Sequence, residues 1–349
     1  MDGQKVEGFR GRRRRRGGKR ITLQEVADLA GVAPITASRA INTPEAVSDR
    51  LRGKVDAAVR ELGYVPNRLA GGLASAGSRV IPVFVPSLSI LTFIEIIDGI
   101  QQTLEAAGYQ TLLGTTGFDL EREAALADAV LGYSPAGVIL TGLRHHPDTL
   151  KKLHYIDSPV VEMMEHGAGC IDLSVGIANP SAGAAMAQHL IDKGHQRIAF
   201  MGTRLDEDYR AEQRLMGQCS ILKAHGLETH RLVREGGDSS YAVGQIGLRR
   251  VLDEYPDTTA VHFANDNLAA GAIFEANRLG VDIPRELAVG GYLGLSVGEH
   301  ISPRLTTLAI PRFEMGVRAA QMLLDRIDGR NFEETRVDIG FDLVVREST

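Results

Sequence analysis

The sequence predicts an α/β protein with a small all-α head, and two patterns along its 349 residues support this fold class. Residues 21–62 combine helix-capping residues, glycines and apolar positions at helical spacing, which indicates a group of short helices. From Val80 onward, short apolar runs alternate with helical segments, a pattern typical of parallel sheets covered by helices on both faces. A chain of this length has room for about two or three domains.

The head begins with a helix that is marked at both ends. Thr22 and Glu25 have the spacing of a capping box, in which each side chain binds a free amide of the other residue. Gly31 ends this helix because glycine tolerates a left-handed backbone. Pro34 has its φ angle preset for the first position of a second helix, which reaches about Ile41. Two helices joined by a short, Gly-containing turn indicate a helix-turn-helix motif, and the alternative is an ordinary helical hairpin in a core.

The charge is distributed unevenly between the two ends of the chain. Residues 1–78 hold 15 Lys and Arg against 8 Asp and Glu, whereas the remainder holds 24 against 36, within a net charge of -5. A basic head on an acidic body suggests that the head meets a polyanion. Residues 1–20 are predicted to be a disordered basic tail, since Arg12–Arg16 repel one another. This tail is either a solvated arm or an extra attraction to DNA phosphates.

Composition also limits the compartment and the class of protein. The content of 44% hydrophobic and 24% charged residues is ordinary for a soluble globular protein. The cysteines, Cys170 and Cys219, have no paired spacing, so we expect a reducing compartment and no disulfide framework. No apolar region follows the basic N-terminus and no apolar run reaches about 18 residues, so we expect a cytoplasmic protein without a signal peptide or membrane span.

A third helix and a marginal segment complete the N-terminal part. Residues 48–62 are predicted to be helical because their apolar positions share one face. Asn67 can cap a further segment that runs to residue 74. Gly71 and Gly72 each disfavour a helix there by about 1 kcal/mol, and the segment is short. We therefore expect it to become ordered only against a partner.

The body is predicted to contain parallel sheets. The expected strands are Val80–Val85, Gln110–Leu113, Val138–Thr141, Val160–Met163, Arg197–Met201, Ala260–Ala264 and Leu287–Gly291. The expected helices lie near Leu91–Ala107, Glu121–Leu131, Ala182–Lys193, Ala211–His225, Tyr241–Asp253, Asn267–Leu279 and Phe313–Ile327. Ligands of such sheets bind at the carboxyl ends of the strands. The residues expected at those ends are Ser87, Thr141, Glu162, Arg204, Asn265, Asp266 and Tyr292.

Several motifs together are typical of one family. They are TLQEVADLAGV (22–32), TASRAIN (36–42), YVPNRLA (64–70), ANDNLAAG (264–271), GVDIP (280–284) and PRLTTL (303–308). With them, the chain resembles the LacI family of bacterial transcription regulators from Ile21 almost to its end. The resemblance implies a DNA-binding domain at 21–66, a hinge helix with its linker at 67–79, and a two-lobed, periplasmic-binding-protein-like domain at 80–349 that binds effector and dimerises. It places one lobe at about 80–177 and 310–336 and the other at about 178–309 and 337–349, with crossings near Gly176, Ala309 and Val337.

Within that family the chain is most similar to the gluconate-utilisation repressors. The similar stretches are YQTLL (109–113), PVVEMM (159–164), IDLSVG (171–176) and GTRLDE (202–207). These stretches lie largely in the body, where the effector is selected. The resemblance therefore implies a small sugar acid as the effector.

The family pattern also implies which residues carry the functions. The implied base-reading residues are Pro34, Ile35 and Arg39, and the implied phosphate contacts are Thr36, Ser38 and Asn42. Leu73 falls on a hinge leucine that inserts into the minor groove, a recognised way to kink DNA. Thr22, Asn67 and Ala70 are further expected DNA contacts. In the body, Arg214, Asn265 and Asp266 match positions that hydrogen-bond effectors in sugar-responsive members.

Some residues depart from the family pattern. Ala33 stands where a capping Ser is usual, which removes a cap worth roughly 1 kcal/mol. Pro34 and Ile35 have no side-chain hydrogen bonds to offer to bases, so readout there is expected through apolar contact. Leu293 replaces an Asp that binds sugar hydroxyls, and the chain has no Trp to stack on a sugar ring. These departures favour a carboxylate held by Arg214 over a neutral cyclic sugar.

Other functional classes remain as alternatives. An enzyme is disfavoured because no catalytic triad order is present, and Asp119 with Glu121 is interpreted as a helix cap with first-turn charge. His145, His146, His154 and His166 are interpreted as surface histidines, so no metal or other cofactor is expected. A solute-binding protein is disfavoured by the DNA-binding head. Arg204 and Arg214 could instead be surface ion-pair residues, and Asn265 with Asp266 a simple cap.

The resulting prediction is an operator-binding, homodimeric repressor of sugar-acid utilisation genes. It is expected to bind near-palindromic double-stranded DNA and to be released by a gluconate- or ketogluconate-type effector. Two alternatives remain for the ligand of residues 80–349. The ligand is a neutral sugar, or it acts as a corepressor.

Overall fold

The structure is a computed structural model that describes residues 21–65, 78–88, 91–156 and 158–349. It divides into two compact units, Met1–Ala76 and Gly77–Thr349. The predicted basic tail and the predicted hinge helix, with Asn67, Ala70 and Leu73, lie outside the described residues.

The first unit contains the predicted helix-turn-helix. Its helices are α1 (Leu23–Ala30), α2 (Pro34–Asn42) and α3 (Asp49–Leu62), with a 3-10 turn at Pro44–Ala46. Thr22 and Glu25 form both bonds of the capping box, and Gly31 ends α1 with φ +65°. A small core of Val26, Ala27, Ala37, Val55 and their neighbours joins the three helices. The expected order of caps, turn and helices is therefore confirmed.

The strands and helices of the second unit alternate along most of its length. The strands are β1 (Val80–Val85), β2 (Gln110–Thr115), β3 (Val138–Thr141), β4 (Val160–Met163), β5 (Leu173–Gly176), β6 (Ile198–Thr203), β7 (Leu232–Glu235), β8 (Ala260–Phe263), β9 (Ala288–Leu293), β10 (Thr306–Ala309), β11 (Arg336–Asp338) and β12 (Asp342–Val344). The helices are α4 (Leu91–Ala106), α5 (Leu120–Leu131), α6 (Pro147–Tyr155), α7 (Asn179–Asp192), α8 (Tyr209–Ala224), α9 (Tyr241–Glu254), α10 (Asp266–Leu279), α11 (Val297–His300) and α12 (Arg312–Ile327).

These strands form two six-stranded sheets, and each sheet is the centre of one lobe. The first sheet has the order β2-β1-β3-β4-β5-β11, and its strands are all parallel to their neighbours. The second has the order β7-β6-β8-β9-β10-β12. Its strands are parallel except β12, which pairs antiparallel with β10 through Leu308 and Leu343. The α/β class with parallel-dominated sheets is therefore confirmed, with one antiparallel edge strand added.

The chain passes between the two sheets after β5, after β10 and after β11. After β5 it continues into α7, which packs on α8, and after β10 it returns through α12, which packs on α4. Both helix pairs approach closely at glycines. A Cβ atom on Gly183 would collide with the carbonyl of Arg214, and one on Gly217 would collide with the carbonyl of Pro180. The absence of side chains at these two positions fixes α8 against α7 and thereby places the residues of its first turns.

In the described part of the chain, no helix is both long and apolar enough to cross a membrane. The apolar side chains instead form hydrophobic cores around the two sheets. Strands such as β4 and β9 are fully buried. Strands buried on both faces read as continuous apolar runs, which is why they were recognisable in the sequence.

Candidate functional site

The outer surface of α2 carries the polar and apolar side chains expected of a DNA-reading helix. Ala37 and Ala40 are buried against α1 and α3, so the opposite face of α2 is free of the core. Ile35 is 62% exposed although it is apolar. Exposure of a large aliphatic side chain at the start of a helix is unfavourable in water, but it suits contact with a thymine methyl group in the major groove.

The polar residues of this surface are only partly engaged within the protein. Asn42 donates a 3.3 Å hydrogen bond to the Ser38 hydroxyl. Thr22 is occupied by the capping box, since its hydroxyl lies 2.9 Å from a Glu25 carboxylate oxygen. Within the described residues, the Arg39 side chain makes no ion pair or hydrogen bond. The expected absence of a side-chain cap at Ala33 is confirmed.

A second candidate site is a cleft between the two lobes, at the carboxyl ends of the strands. It encloses about 630 Å³, including space open to solvent. From the first lobe it is lined by Thr92, Phe93, Phe118 and Met164. From the second lobe it is lined by Thr203, Arg204, Asp208, Arg210, Arg214, Gly237, Asp238, Ser239, Asn265, Tyr292 and Leu293. Aromatic side chains on one wall and charged or hydroxyl groups on the other suit a small polar ligand.

Arg214 is the most firmly held cation of this cleft. It is only 5% exposed and stacks on the ring of Tyr292, with the guanidinium carbon 3.9 Å from the ring centroid. Its terminal nitrogens donate to the Asn179 side chain at 2.6 Å and to the Ala264 carbonyl at 3.2 Å. Burial lowers the pKa of Arg214 from its usual value. Arg214 Nε, Tyr292 OH and Asn179 Nδ2 are buried without a hydrogen-bond partner in the described residues.

Two other arginines of the cleft differ from Arg214 in their pairing. Arg204 is partly exposed and pairs with Glu207 at 3.7 Å and with Asp238 at 3.5 Å, as the ion-pair alternative expects, and it also lines the cleft. Arg210 is 7% exposed and lies 3.8 Å from the Asp208 carboxylate. Arg210 was not among the site residues predicted from the sequence. Arg210 lies four residues before Arg214, in the first turn of α8 after the capping Asp208. This spacing could have indicated from the sequence that both arginines share one face of α8.

Asn265 and Asp266, which are adjacent in sequence, lie in different environments. Asn265 lines the cleft and caps α10 by accepting from the amide of Leu268. Asp266 is fully buried and does not line it, because its oxygens accept from the amide of Leu295 and the hydroxyl of Thr307, each at 2.6 Å. Burial raises the pKa of Asp266 to about 7. Asp266 therefore supports the end of β9 from behind the cleft, a departure from the expected contact with effector hydroxyls.

The remaining strand-end candidates from the first lobe also lie away from this lining. Thr141 donates its hydroxyl to the Phe84 carbonyl at 2.8 Å and borders a neighbouring compartment. Ser87 is partly exposed beyond β1 and is not one of the described lining residues. Glu162 is fully buried in the lobe, with no access to the cleft. These three residues are therefore not gathered around one ligand position.

Glu162 instead belongs to a buried charged cluster with His145 and Glu123. His145 Nδ1 lies 2.9 Å from Glu123, and its Nε2 lies 3.1 Å from Glu162. Burial opposes the charged imidazole, but the two hydrogen-bonded carboxylates outweigh it and raise the pKa of His145 to about 9. The interpretation of His145 as a surface histidine is wrong, because it is 6% exposed. No group that could hold a metal ion occurs among the described residues.

Hydrogen bonds also join the lobes beside the cleft. The Tyr209 hydroxyl, on α8 of the second lobe, donates to Glu165 of the first lobe at 2.6 Å. The same oxygen accepts from the amides of Leu143 at 2.8 Å and Arg144 at 3.2 Å. Gln213 donates to the other oxygen of Glu165 at 2.8 Å. We call Glu165, Tyr209 and Gln213 the interlobe latch, since it contacts both lobes next to Arg210 and Arg214.

The arrangement suits binding better than catalysis. The interpretation of Asp119 as a helix cap is confirmed, since its carboxylate accepts from the amides of Glu121 and Arg122. The cleft combines buried guanidinium groups, hydroxyl groups and aromatic rings at the edges of two sheets. These groups can recognise an anion that also carries hydroxyl groups.

Comparison with known proteins identifies the family of the two parts of the chain. Residues 22–67 match the model of the bacterial regulatory proteins of the lacI family, and residues 187–349 match a periplasmic binding protein-like domain. The chain is 41% identical over 325 residues to the HTH-type transcriptional regulator GntR of Escherichia coli strain K12, covering 93% of this chain and 97% of that protein.

Solved structures show the same architecture. A LacI-family transcriptional regulator from Silicibacter pomeroyi has a TM-score of 0.88 and 34% identity, covering 94% of this chain and 99% of that one. The lac repressor dimer bound to operator and the anti-inducer ONPF has a TM-score of 0.79 and 26% identity, covering 95% and 99%. With the helix-turn-helix, the two-lobed body and these relatives in agreement, the chain belongs to the LacI family of DNA-binding bacterial transcription regulators.

Proposed function

We propose that this regulator represses genes for the use of a sugar acid and leaves its operator when an aldonate-type acid binds between its lobes. The observation that carries the proposal is the cleft itself, where buried arginines lie beside hydroxyl groups and no Trp is available to stack on a sugar ring. The similarity of residues 159–164 and 202–207 to gluconate repressors supports the same ligand class. A cytoplasmic homodimer without catalytic activity is part of the proposal.

The proposed DNA contacts follow from the surface of α2. Pro34, Ile35 and Arg39 are exposed and are assigned to base edges. Thr36, Ser38 and Asn42 are assigned to phosphates, as hydroxyl and amide groups commonly contact the backbone. Thr22 is assigned to the same phosphates. A two-fold dimer presents two such helices, so the operator is near-palindromic.

The proposed domains follow the two compact units of the chain. Residues 21–66 form the DNA-binding domain, 67–79 the hinge helix and linker, and 80–349 the effector-binding and dimerisation domain. In the cleft, Arg204, Arg214 and Asn265 contact the effector. We prefer an acid to a neutral sugar because the buried guanidinium of Arg214 donates only to neutral oxygens among the described residues. Burying a charge without a counter-ion is costly, and a ligand carboxylate would compensate that charge.

The test combines operator selection with ligand release. The purified full-length protein is used to select binding sites from random double-stranded DNA, and the bound DNA is then challenged with D-gluconate, 2-keto-D-gluconate or D-glucose. The proposal predicts a near-palindromic site that is released by an acid and not by glucose. Release by glucose alone would replace the acid with a neutral sugar, and tighter retention with gluconate would indicate a corepressor.

A further inference from the structure

Arg210 lies where two compartments of the interlobe cleft meet. The first compartment is the one bounded by Arg214 and Tyr292, and the second is bounded by Thr141, Arg144 and Tyr209. Arg210 lines both compartments, and Phe118 faces it from the first lobe in both. A ligand that enters either compartment therefore meets this guanidinium.

Arg210 is buried but poorly paired. Its side chain is nearly as buried as that of Arg214, and its nearest carboxylate, Asp208, lies 3.8 Å away. In the parts of the chain that the structure describes, its guanidinium donates no hydrogen bond. Arg214, by contrast, already donates through both terminal nitrogens. A buried cation with unused donors is unstable unless an anion or another acceptor reaches it.

The surroundings hold Arg210 in place without using its hydrogen bonds. The guanidinium carbon lies 5.4 Å from the centroid of the Tyr209 ring. Its Nη1 lies 2.7 Å from the position that a Cβ on Gly142 would occupy, and Gly142 has φ +85°. The glycine therefore lets the first lobe approach Arg210 closely. Tyr209 belongs to the interlobe latch and is hydrogen-bonded to the first lobe, so the position of Arg210 depends on both lobes.

The electrostatic surroundings of the two arginines differ. Burial opposes the charge of Arg210, but Asp208 and Glu165 outweigh burial and raise its pKa. Burial lowers the pKa of Arg214, and the charge of Arg210 acts in the same direction. The two guanidinium groups repel each other, and a ligand carboxylate between them would relieve that repulsion. The free fork of Arg210 offers two parallel N–H donors, which match the two oxygens of a carboxylate.

We propose that Arg210 is the main anchor for the carboxylate of the effector, and that Arg214 is a positioning residue that holds Tyr292 and Asn179. Arg214 then has no free bidentate fork for a ligand, because both terminal nitrogens already donate within the protein and its Nε is enclosed. This inference rests on the proposed sugar-acid response and assigns its recognition to a specific side chain. It also explains why the cleft needs buried arginines on two successive turns of α8.

The test measures ligand binding to the full-length protein by calorimetry. The probes are D-gluconate, D-glucarate, citrate and D-glucose, and the variants are Arg210→Met, Arg210→Lys and the control Arg285→Met. Arg285 is a surface arginine that pairs with Asp282 away from the cleft. Operator binding by each variant without ligand shows that it is folded.

Arg210→Met should weaken gluconate binding about 10- to 100-fold, as expected for the loss of a charge-assisted bidentate pair. Arg210→Lys should fall between this variant and the wild type, because lysine keeps the charge and loses the fork. Arg285→Met should bind gluconate as the wild type does.

Wild-type gluconate affinity in a folded Arg210→Met protein would overturn the assignment and leave the sugar-acid response standing. Binding of citrate but not gluconate, lost in Arg210→Met, would support the anchor and refute the sugar-acid response. If the protein binds only glucose, or binds none of the three carboxylate probes, both the Arg210 assignment and the sugar-acid response would be overturned.

Discussion

Arg39 is the residue of α2 that we propose reads the DNA sequence through hydrogen bonds. It is exposed on α2 and, among the described residues, engages no acceptor. Arg39→Ala should weaken binding to the selected operator by about 1–3 kcal/mol and relax discrimination at one base pair per half-site, because arginine pairs bidentately with guanine. Competition binding with operator variants and random DNA measures both effects. Equal weakening on operator and random DNA would make Arg39 a phosphate contact.

His145 gives the body a dependence of stability on pH. Its pKa is about 9 in the folded protein against 6.5 for an ordinary histidine. Because the folded-state pKa is raised, the stabilisation is fully present below pH 6.5 and is lost as the pH rises through 9. The shift corresponds to roughly 3 kcal/mol.

Urea unfolding of the wild type and of His145→Gln at pH 6.5 and pH 9.5 measures this contribution. The wild type should be more stable than the variant at pH 6.5, and the difference should shrink at pH 9.5. A difference that stays constant between the two pH values would show that His145 is not protonated in the folded protein.

At the scale of single residues, the sequence predicted helix caps correctly but did not predict which polar side chains are buried. The capping box at Thr22 and the caps at Asp119 and Asn265 depend on neighbours within a few positions, and all are present. The environments of Asp266 and His145 depend on distant partners, such as Thr307 for Asp266 and Glu123 for His145. Local spacing carries no information about those partners. The sequence alone therefore could not show that the strand-end carboxylates Glu162 and Asp266 are buried structural groups and do not line the cleft.

At the scale of elements, the interlobe latch makes α8 responsive to both lobes. Tyr209→Phe removes one hydroxyl that donates to Glu165 and accepts from two amides of the first lobe. We expect gluconate binding to weaken by about 1–2 kcal/mol, because the lobe arrangement that forms the cleft loses net hydrogen-bond energy. Calorimetry measures the affinity, and small-angle scattering measures whether ligand still compacts the body.

Tyr255→Phe is the matched control for this experiment. The Tyr255 hydroxyl donates only to the His230 carbonyl, within the second lobe. This variant should bind gluconate as the wild type does. If Tyr209→Phe and Tyr255→Phe have the same effect, the latch has no special coupling to the cleft.

The elements that sequence patterns predicted are those with strong apolar signals. Strands β1, β3 and β4 were predicted with the bounds that the structure has. The strands β5, β7, β10, β11 and β12 and the helices α6 and α11 were not predicted. Several of these are short, and β7, β11 and β12 are only partly apolar and partly exposed. Their formation depends on pairing with neighbours already in the sheets, which a local pattern does not contain.

At the scale of the whole molecule, the proposed function requires that the DNA site and the cleft change each other's binding free energy. The helix-turn-helix surface suits DNA, and the cleft suits a small anion. Closure of the lobes around a ligand is a hinge-type transition that can alter the geometry presented to DNA. If the acid lowers operator affinity by some factor, linkage requires the operator to lower acid affinity by the same factor.

The most direct test of this account is to measure both sides of that linkage with one protein preparation. Operator affinity is determined by fluorescence anisotropy with and without saturating D-gluconate, and gluconate affinity by calorimetry with and without saturating operator. The account predicts that each ligand weakens the other by the same factor, and that Arg210→Met abolishes the effect of gluconate on operator binding. Gluconate that binds the free and the operator-bound protein equally well would contradict it, because such a ligand cannot release DNA.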